Sequence, residues 1–154
     1  MHGVFGIKVL IAEKRIEKSI VKVKVSTGII KFLCPGVESI RSAKIYFECE
    51  PDTYEWIHNF NQDSVFYDIG GNLGGFSLLA GSLGHRVFCF EPAAINVNCI
   101  QQNIYLNPSI SENISVIPVA LSNQNKISHF FMQYIDAGAA KNSFDRPEWW
   151  GGGF

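Results

Sequence analysis

The alternation of hydrophobic and charged positions predicts a β-hairpin near the start of the chain. Residues 20–25 place an apolar side chain at every second position, which is the period of a half-exposed strand. Ser26-Thr27-Gly28 has the composition of a turn, and residues 29–33 can return as the partner strand. Further strands are expected at residues 4–12 and 45–47. We therefore expect residues 1–47 to form a β-rich N-terminal extension.

From Ser64 onward, short apolar runs alternate with segments of helical period. Residues 65–69 are almost continuously apolar, as in a buried parallel strand. The further strands are expected at residues 87–90, 114–121 and 127–134, and the helices at residues 76–83 and 93–106, after an earlier helix that opens at Pro51. The order strand–helix–strand–helix–strand argues for parallel units with right-handed crossovers, so the predicted fold class is α/β with a parallel sheet.

Composition narrows the class of protein. The chain has 154 residues, which fits one domain, and it is 47% hydrophobic and 18% charged, as expected of a folded protein. A formal net charge of −1 argues against a nucleic-acid partner bound by bulk positive charge. There is no apolar run long enough for a membrane span and no signal-peptide pattern. The four cysteines lack a C-x-x-C spacing and are interpreted as reduced thiols, so we expect a cytoplasmic location.

The most informative segment is the glycine-rich turn Asp68-Ile69-Gly70-Gly71-Asn72-Leu73-Gly74. Glycines let the backbone turn tightly and let a ligand approach it, and ligands of open α/β sheets bind beyond the carboxyl ends of the strands. Asn72 stands where a dinucleotide fingerprint requires its second glycine, which disfavours NAD or FAD. The lysine of a P-loop is absent as well.

S-adenosylmethionine (SAM) fits these residues better because it has no phosphate. Asp68 can lie near its ammonium group, while N–H groups of the turn and the next helix can meet its carboxylate. Glu91, at the tip of the following strand, can accept both ribose hydroxyls of any adenosine cofactor. A purely structural alternative stays open, in which the glycines serve geometry, Asp68 caps the next helix and Glu91 is a solvated strand end.

Several stretches also resemble the FkbM family of SAM-dependent methyltransferases, in the family's order and spacing. They are Glu50-Pro51-Asp52-Thr53 and residues 65–74, 87–92, 98–107 and 119–123, and together they cover about residues 48–140. The resemblance implies a class I, Rossmann-like methyltransferase fold. It also implies methyl transfer from SAM to an oxygen, usually a hydroxyl of a small molecule or sugar.

The resemblance assigns cofactor-binding roles to individual positions. The methionine end of SAM would be lined by Asp68, Gly70, Asn72 and Gly74. Glu91 would hold the ribose. The adenine would be bordered by Ala120, Leu121 and Ser122.

Two departures from the family are visible. Gly71 stands where the family commonly has alanine, and no Lys-Ile-Asp-x-Glu-Gly-type motif follows the third strand. In the family, the strand carrying that motif lies beside the one formed by residues 65–69. Without it, that strand becomes an exposed edge and a hazard for pairing. We therefore expect residues 48–154 to be a partial methyltransferase domain with an incomplete sheet, a fragment that self-associates through the uncovered edge.

Two classes of function remain. One is an active methyltransferase with a hydroxylated small-molecule acceptor and neither a nucleic-acid nor a membrane partner. The other is a truncated, catalytically inactive SAM-binding remnant or interaction module. An NAD-dependent oxidoreductase is a further alternative, which the residues of the turn favour less. No catalytic residue is assigned, and no metal-ligand spacing is present. The internal histidines are interpreted as structural, and Asp136 and Asp145 as ordinary loop acids.

Overall fold

A computed structural model of the chain describes residues 19–149 and 152–153. The strand predicted at residues 4–12 lies outside them. The elements are, in chain order, β1 (Ile20–Val25), β2 (Gly28–Leu33), α1 (Val37–Cys49), α2 (Pro51–His58), β3 (Val65–Ile69), α3 (Gly75–Ser82), β4 (Arg86–Phe90), α4 (Ala94–Leu106), a 3-10 helix (Pro108–Asn113), β5 (Ile114–Ile117), β6 (Phe130–Phe131), β7 (Ser143–Phe144), β8 (Glu148–Trp149) and β9 (Gly152–Gly153).

The predicted N-terminal hairpin is confirmed. Strands β1 and β2 pair antiparallel, with Ile20 opposite Leu33 and Val25 opposite Gly28. The lysines of β1 are exposed, while Ile30 and Phe32 of β2 are buried in the core. This alternation is what the period of two in the sequence requires when one face of a hairpin packs inward.

The strand predicted at residues 45–47 is wrong, because these residues lie in helix α1. Ser39 and Ala43 are buried on one side of this helix, and Tyr46 and Phe47 pack against the core one turn later. That spacing of three to four residues is helical, and it overrides the local β preference of an Ile-Tyr-Phe run. The predicted division between residues 47 and 48 falls inside α1, so the described part of the segment before it, residues 19–47, is a hairpin joined to most of a helix.

The parallel sheet is the central feature of the fold and confirms the predicted α/β class. Its order is β3-β4-β5, with Val65 opposite Arg86 and Val87 opposite Ile114, and helices α3 and α4 connect the strands. Strand β5 ends at Ile117 rather than at residue 121, since Pro118 has no N–H for a ladder. The strand predicted at residues 127–134 is reduced to β6, which pairs with β7.

The hydrophobic core joins the hairpin, the helices and one face of the sheet. Helix α3 is buried along its length, and the inward side chains Phe66, Val87 and Ile114 pack in the same cluster. Two buried amides of α4 fasten the hairpin, since Asn103 Oδ1 accepts the Leu33 N–H at 2.7 Å and Asn107 bonds to the backbone of β2. In the part of the chain that the structure describes, no helix is long and apolar enough to cross a membrane.

The other face of the sheet is left uncovered by the described residues. Val65, Tyr67 and Ile69 are 46%, 59% and 68% exposed, and the Tyr67 ring stacks on Phe88 and Phe90 of the neighbouring strand. Strand β3 is therefore buried on one face only, in contrast to the fully buried strand that its apolar run predicts. Among the described residues β3 pairs with β4 alone, so it has the edge position expected from the sequence.

Candidate functional site

The glycine turn at the end of β3 is held by the neighbouring strand. The N–H groups of Gly70 and Gly71 both donate to the Phe90 carbonyl, at 2.8 and 3.2 Å. Gly70 has a φ of 82°, which a side chain would disfavour. A Cβ at Gly71 would lie 2.2 Å from the Cys89 Sγ, so that sulfur fills the space that an alanine methyl group would need.

Asp68 faces into the protein. Its side chain is buried, and its Oδ2 accepts a hydrogen bond from the Ser77 hydroxyl in the first turn of α3 at 2.5 Å. Burial raises the pKa of the Asp68 carboxyl above its ordinary value, although the Ser77 hydrogen bond acts in the opposite direction. The negative charge of Glu91 raises that pKa further, so the two acids interact across the turn.

The Glu91 side chain binds two segments of backbone. Its Oε2 accepts the Asn72 N–H at 2.8 Å and its Oε1 accepts the Ala93 N–H at 2.8 Å. The side chain is 4% exposed, so its interpretation as a solvated strand end is wrong. A carboxylate offers about four lone-pair positions. Each Glu91 oxygen therefore keeps acceptor capacity beyond the bond that it makes within the protein.

Asn72 is the residue of the turn that lines open space, although its amide oxygen is itself buried. It has a left-handed backbone with a φ of 53°, and its side-chain Nδ2 donates to the Gly138 carbonyl at 3.2 Å. Its Oδ1 is buried and finds no hydrogen-bond partner among the described residues. A buried acceptor without a partner costs about 1–3 kcal/mol. This oxygen therefore points to a donor that a ligand would bring.

Two cavities adjoin Asn72 and share Ser42 of helix α1. The larger has a volume of about 540 Å³ and lies between α1 and the segment of residues 134–141. It is lined by Glu38, Ser42, Asn72, Tyr134, Asp136, Gly138, Ala139, Ala140 and Lys141. The smaller has a volume of about 210 Å³ and is lined by Ser42, Ile45, Tyr46, Cys49, Glu50 and Asn72. Three carboxylates and one lysine therefore surround this space.

Of the site residues predicted from the sequence, the two cavities bring in Asn72 alone. Leu121 is half exposed, and the Ser122 hydroxyl bonds to the backbone of Gln124. Both follow β5 as irregular chain, and neither is among the residues that line the two cavities. The adenine-bordering role of residues 120–122 stays a prediction, as do the roles of the predicted residues in the turn.

The cavities also contain residues that the sequence did not indicate. Glu38 and Ser42 lie on α1. Part of this helix was predicted to be a strand because of its apolar Ile-Tyr-Phe run. Lys141 and its neighbours come from irregular chain, whose position depends on contacts distant in sequence. Glu50 belongs to one of the stretches that resemble the FkbM family, and Asp136 was interpreted as an ordinary loop acid.

The three internal histidines, Asp136 and Asp145 are candidates for a general base, and they differ in the contacts that they make. His58 bonds to a hydroxyl and a backbone carbonyl, at 2.6 and 2.9 Å, and His85 is buried against an aromatic ring. His129 also lies beside an aromatic ring, and Asp145 forms an ion pair with a lysine. Asp136 is the one of these five that lines the larger cavity.

The donor set fits SAM better than a nucleoside polyphosphate. An excess of carboxylates and an unpartnered amide oxygen suit a cation that carries N–H donors, and SAM has both a sulfonium and an ammonium group. A polyphosphate would meet repulsion from the same carboxylates. Within residues 19–149 and 152–153, no group of histidine, cysteine and acidic side chains could hold a metal ion.

No protein-family model and no curated protein matches this chain. Two solved structures are similar to parts of it. One is a precorrin-6y C5,15-methyltransferase from Geobacter metallireducens GS-15, at 23% identity over 47% of this chain and 38% of that chain, with a TM-score of 0.40. The other is a SAM-dependent methyltransferase from Agrobacterium tumefaciens, at 13% identity over 65% of this chain and 32% of that chain, with a TM-score of 0.44.

The matched regions span about a third of each of those two proteins. Both TM-scores lie below 0.5, so we assign the class of fold from the topology of the parallel sheet and not from these similarities. Three parallel strands connected by two helices, with a glycine turn at the carboxyl end of the first, define a Rossmann-like α/β domain.

Proposed function

We propose that this chain is a SAM-dependent methyltransferase domain that binds its cofactor in the two cavities beside Asn72. The observation that carries the proposal is the buried Oδ1 of Asn72, which has no hydrogen-bond partner among the described residues and belongs to a residue that lines both cavities, beside three carboxylates and one lysine. It lies at the carboxyl end of the first parallel strand, where ligands of such sheets bind. Membership of the FkbM family is part of the proposal and is supported by the matching sequence stretches.

In this proposal, different residues bind chemically different parts of the cofactor. Asn72 Oδ1 accepts an N–H of the SAM ammonium group, and the charges of Glu38, Glu50 and Asp136 favour the cationic end of the molecule. Glu91 lines neither cavity and orders the turn by accepting the Asn72 N–H. Its role in holding the ribose is carried into the proposal from the resemblance to the FkbM family. When bound, SAM supplies a methyl group on a positively charged sulfur, which is open to attack by an oxygen.

The acceptor in this proposal is a hydroxyl group of a small molecule or sugar. Methyl transfer to a hydroxyl requires alignment of the oxygen with the methyl carbon, and a carboxylate that takes up the proton is useful. Asp136 is suited to that second task because it lines the larger cavity from a segment outside the glycine turn. A cytoplasmic location belongs to the same proposal and is supported by the free thiols of the four cysteines.

A catalytically inactive SAM-binding module is the second candidate. The observation that favours it is the uncovered sheet face around Tyr67 and Ile69, which suits association better than catalysis. We propose self-association through this face and the unpaired edge of β3. Such an edge exposes a row of backbone donors and acceptors that another strand can satisfy.

Calorimetric titration followed by a methyl-transfer assay separates these functions. We expect saturable binding of SAM that an excess of NAD does not displace. Turnover on a panel of hydroxylated acceptors supports the enzyme, whereas binding without turnover on any of them supports the inactive module. Absence of SAM binding contradicts both, and displacement by NAD favours an oxidoreductase.

A further inference from the structure

A chain of two hydrogen bonds links helix α4 to Asn72. Asn96, in the first turn of α4, is 2% exposed, and its Oδ1 accepts the Gly138 N–H at 3.0 Å. The carbonyl of the same Gly138 accepts a hydrogen bond from Asn72 Nδ2 at 3.2 Å. Gly138, in the segment of residues 134–141, is therefore hydrogen-bonded both to α4 and to the glycine turn.

This link fixes the orientation of the Asn72 side-chain amide. An asparagine amide can be turned by half a rotation, which exchanges its donor NH₂ and its acceptor oxygen. With the Gly138 carbonyl in place, the NH₂ end is used as a donor, and the reversed amide would set two oxygens against each other. Oδ1 is therefore kept as the unpartnered acceptor.

Gly138 itself is confined on its other side. Its φ is 87°, and a Cβ there would lie 3.3 Å from the Ser39 Cα and 3.4 Å from a methyl group of Leu73. Its neighbours in sequence, Ala137 and Ala139, are buried. The segment thus packs closely between α1 and the glycine turn. The hydrogen bond from the Gly138 N–H to Asn96 fixes the position of the segment between them.

We propose that Asn96 is a positioning residue that, through Gly138, holds the Asn72 amide oxygen ready to accept an ammonium N–H. The inference rests on the proposed SAM site and goes beyond it, because Asn96 lines neither cavity. In the proposed function the amino-acid end of the cofactor already lies on the Asn72 side of the space. A ligand with the same adenosine but without the amino-acid end should not sense Asn96.

Calorimetry with three ligands tests this inference. The ligands are SAM, S-adenosylhomocysteine and 5′-methylthioadenosine, which lacks the amino-acid end. We expect Asn96→Leu to weaken the first two about ten- to a hundredfold, the effect of one buried acceptor losing its orientation, and to leave the third unchanged. Asn96→Asp keeps an acceptor for the Gly138 N–H and should retain near wild-type affinity for all three.

Asn107→Leu is the matched control. Asn107 is also a buried asparagine at an end of α4 that bonds to backbone, but its main partner is strand β2, far along the helix from Asn96. Its replacement should lower stability without changing the ratio between SAM and 5′-methylthioadenosine. An equal loss for all three ligands in Asn96→Leu, or an unchanged affinity for SAM, overturns the inference.

A second measurement serves if Asn96→Leu does not fold. Hydrogen exchange at the Gly138 amide of the wild-type protein should slow when SAM is added, because the ligand completes the hydrogen-bond chain, and 5′-methylthioadenosine should slow it less. Equal exchange with and without SAM overturns the inference. Failure of wild-type protein to bind SAM is a separate result, which removes the proposed function and this inference with it.

Discussion

The Asn72 N–H donates to Glu91 Oε2 at 2.8 Å and thereby ties the glycine turn to the tip of the next parallel strand. The other oxygen of Glu91 accepts the Ala93 N–H at the start of α4, so one buried carboxylate orders two backbone segments. From the sequence, Glu91 is expected to hold a ribose. The structure gives it the additional task of shaping the turn that a cofactor would meet.

Replacing Glu91 by glutamine should affect both tasks. The new NH₂ group would face a backbone N–H, and one donor would lose its partner. We expect a loss of about 1–3 kcal/mol in the free energy of unfolding, measured with urea, and a weaker affinity for SAM. Glu112→Gln, at an exposed acid, is the control and should change neither quantity. Unaltered stability of Glu91→Gln would refute the bridging role.

Gly71 and Cys89 form a complementary pair that double substitution can test. A methyl group at Gly71 would overlap the Cys89 sulfur, so Gly71→Ala should destabilise the protein by about 1–3 kcal/mol. Cys89→Ala removes the sulfur, and the double variant should recover much of the loss. The two substitutions should therefore be strongly non-additive in urea unfolding. Simple additivity would show that the sulfur does not exclude the methyl group.

Asp68 should make stability depend on pH in an unusual direction. Burial raises its pKa in the folded protein above the ordinary 3.8, so folding favours the neutral carboxyl. The stability that this group contributes is fully present below 3.8 and is lost as the pH rises through the folded-state pKa. Asp68→Asn should therefore gain stability relative to the wild type as the pH is raised.

Urea unfolding at a series of pH values measures this difference. Asp52→Asn, at an exposed position of the first turn of α2, provides the control for a lost surface charge. A difference between wild type and Asp68→Asn that stays constant with pH, or that changes in the opposite direction, would be incompatible with the buried acid.

The uncovered sheet face should cause association. Ile69→Lys places a charge beside the unpaired edge of β3 and should reduce self-association in sedimentation velocity at increasing protein concentration. Tyr105→Lys is the control, since Tyr105 is 83% exposed but lies on α4, away from this face. If both variants associate as the wild type does, or both associate less to the same extent, this face does not mediate association.

The sequence carried the central part of the fold because its signals there are local. The glycine turn and the apolar run before it each act over a few residues, and the structure has the strands and helices of this region in the predicted order. Helix α1 was missed because its Ile-Tyr-Phe run favours a strand until Ala43 and Ser39 are seen to share its buried face.

The wall of the site depends on contacts that no local pattern encodes. Gly138 meets Asn72 and Asn96 from 66 and 42 positions away along the chain. Both acids assigned to the cofactor are at the turn, as the alternation of strands and helices implies. Their oxygens are held within the protein, however, because they accept hydrogen bonds from the Ser77 hydroxyl and from the backbone N–H groups of Asn72 and Ala93.

The most direct test of the cofactor site is a SAM titration of isotope-labelled wild-type protein followed by NMR. The account predicts saturable shifts of the Asn72 side-chain amide and of backbone amides that line the cavities, such as Ser42, Gly138 and Lys141. Shifts confined to other surfaces, for example the Tyr67 face of the sheet, or no shifts at all, would contradict it.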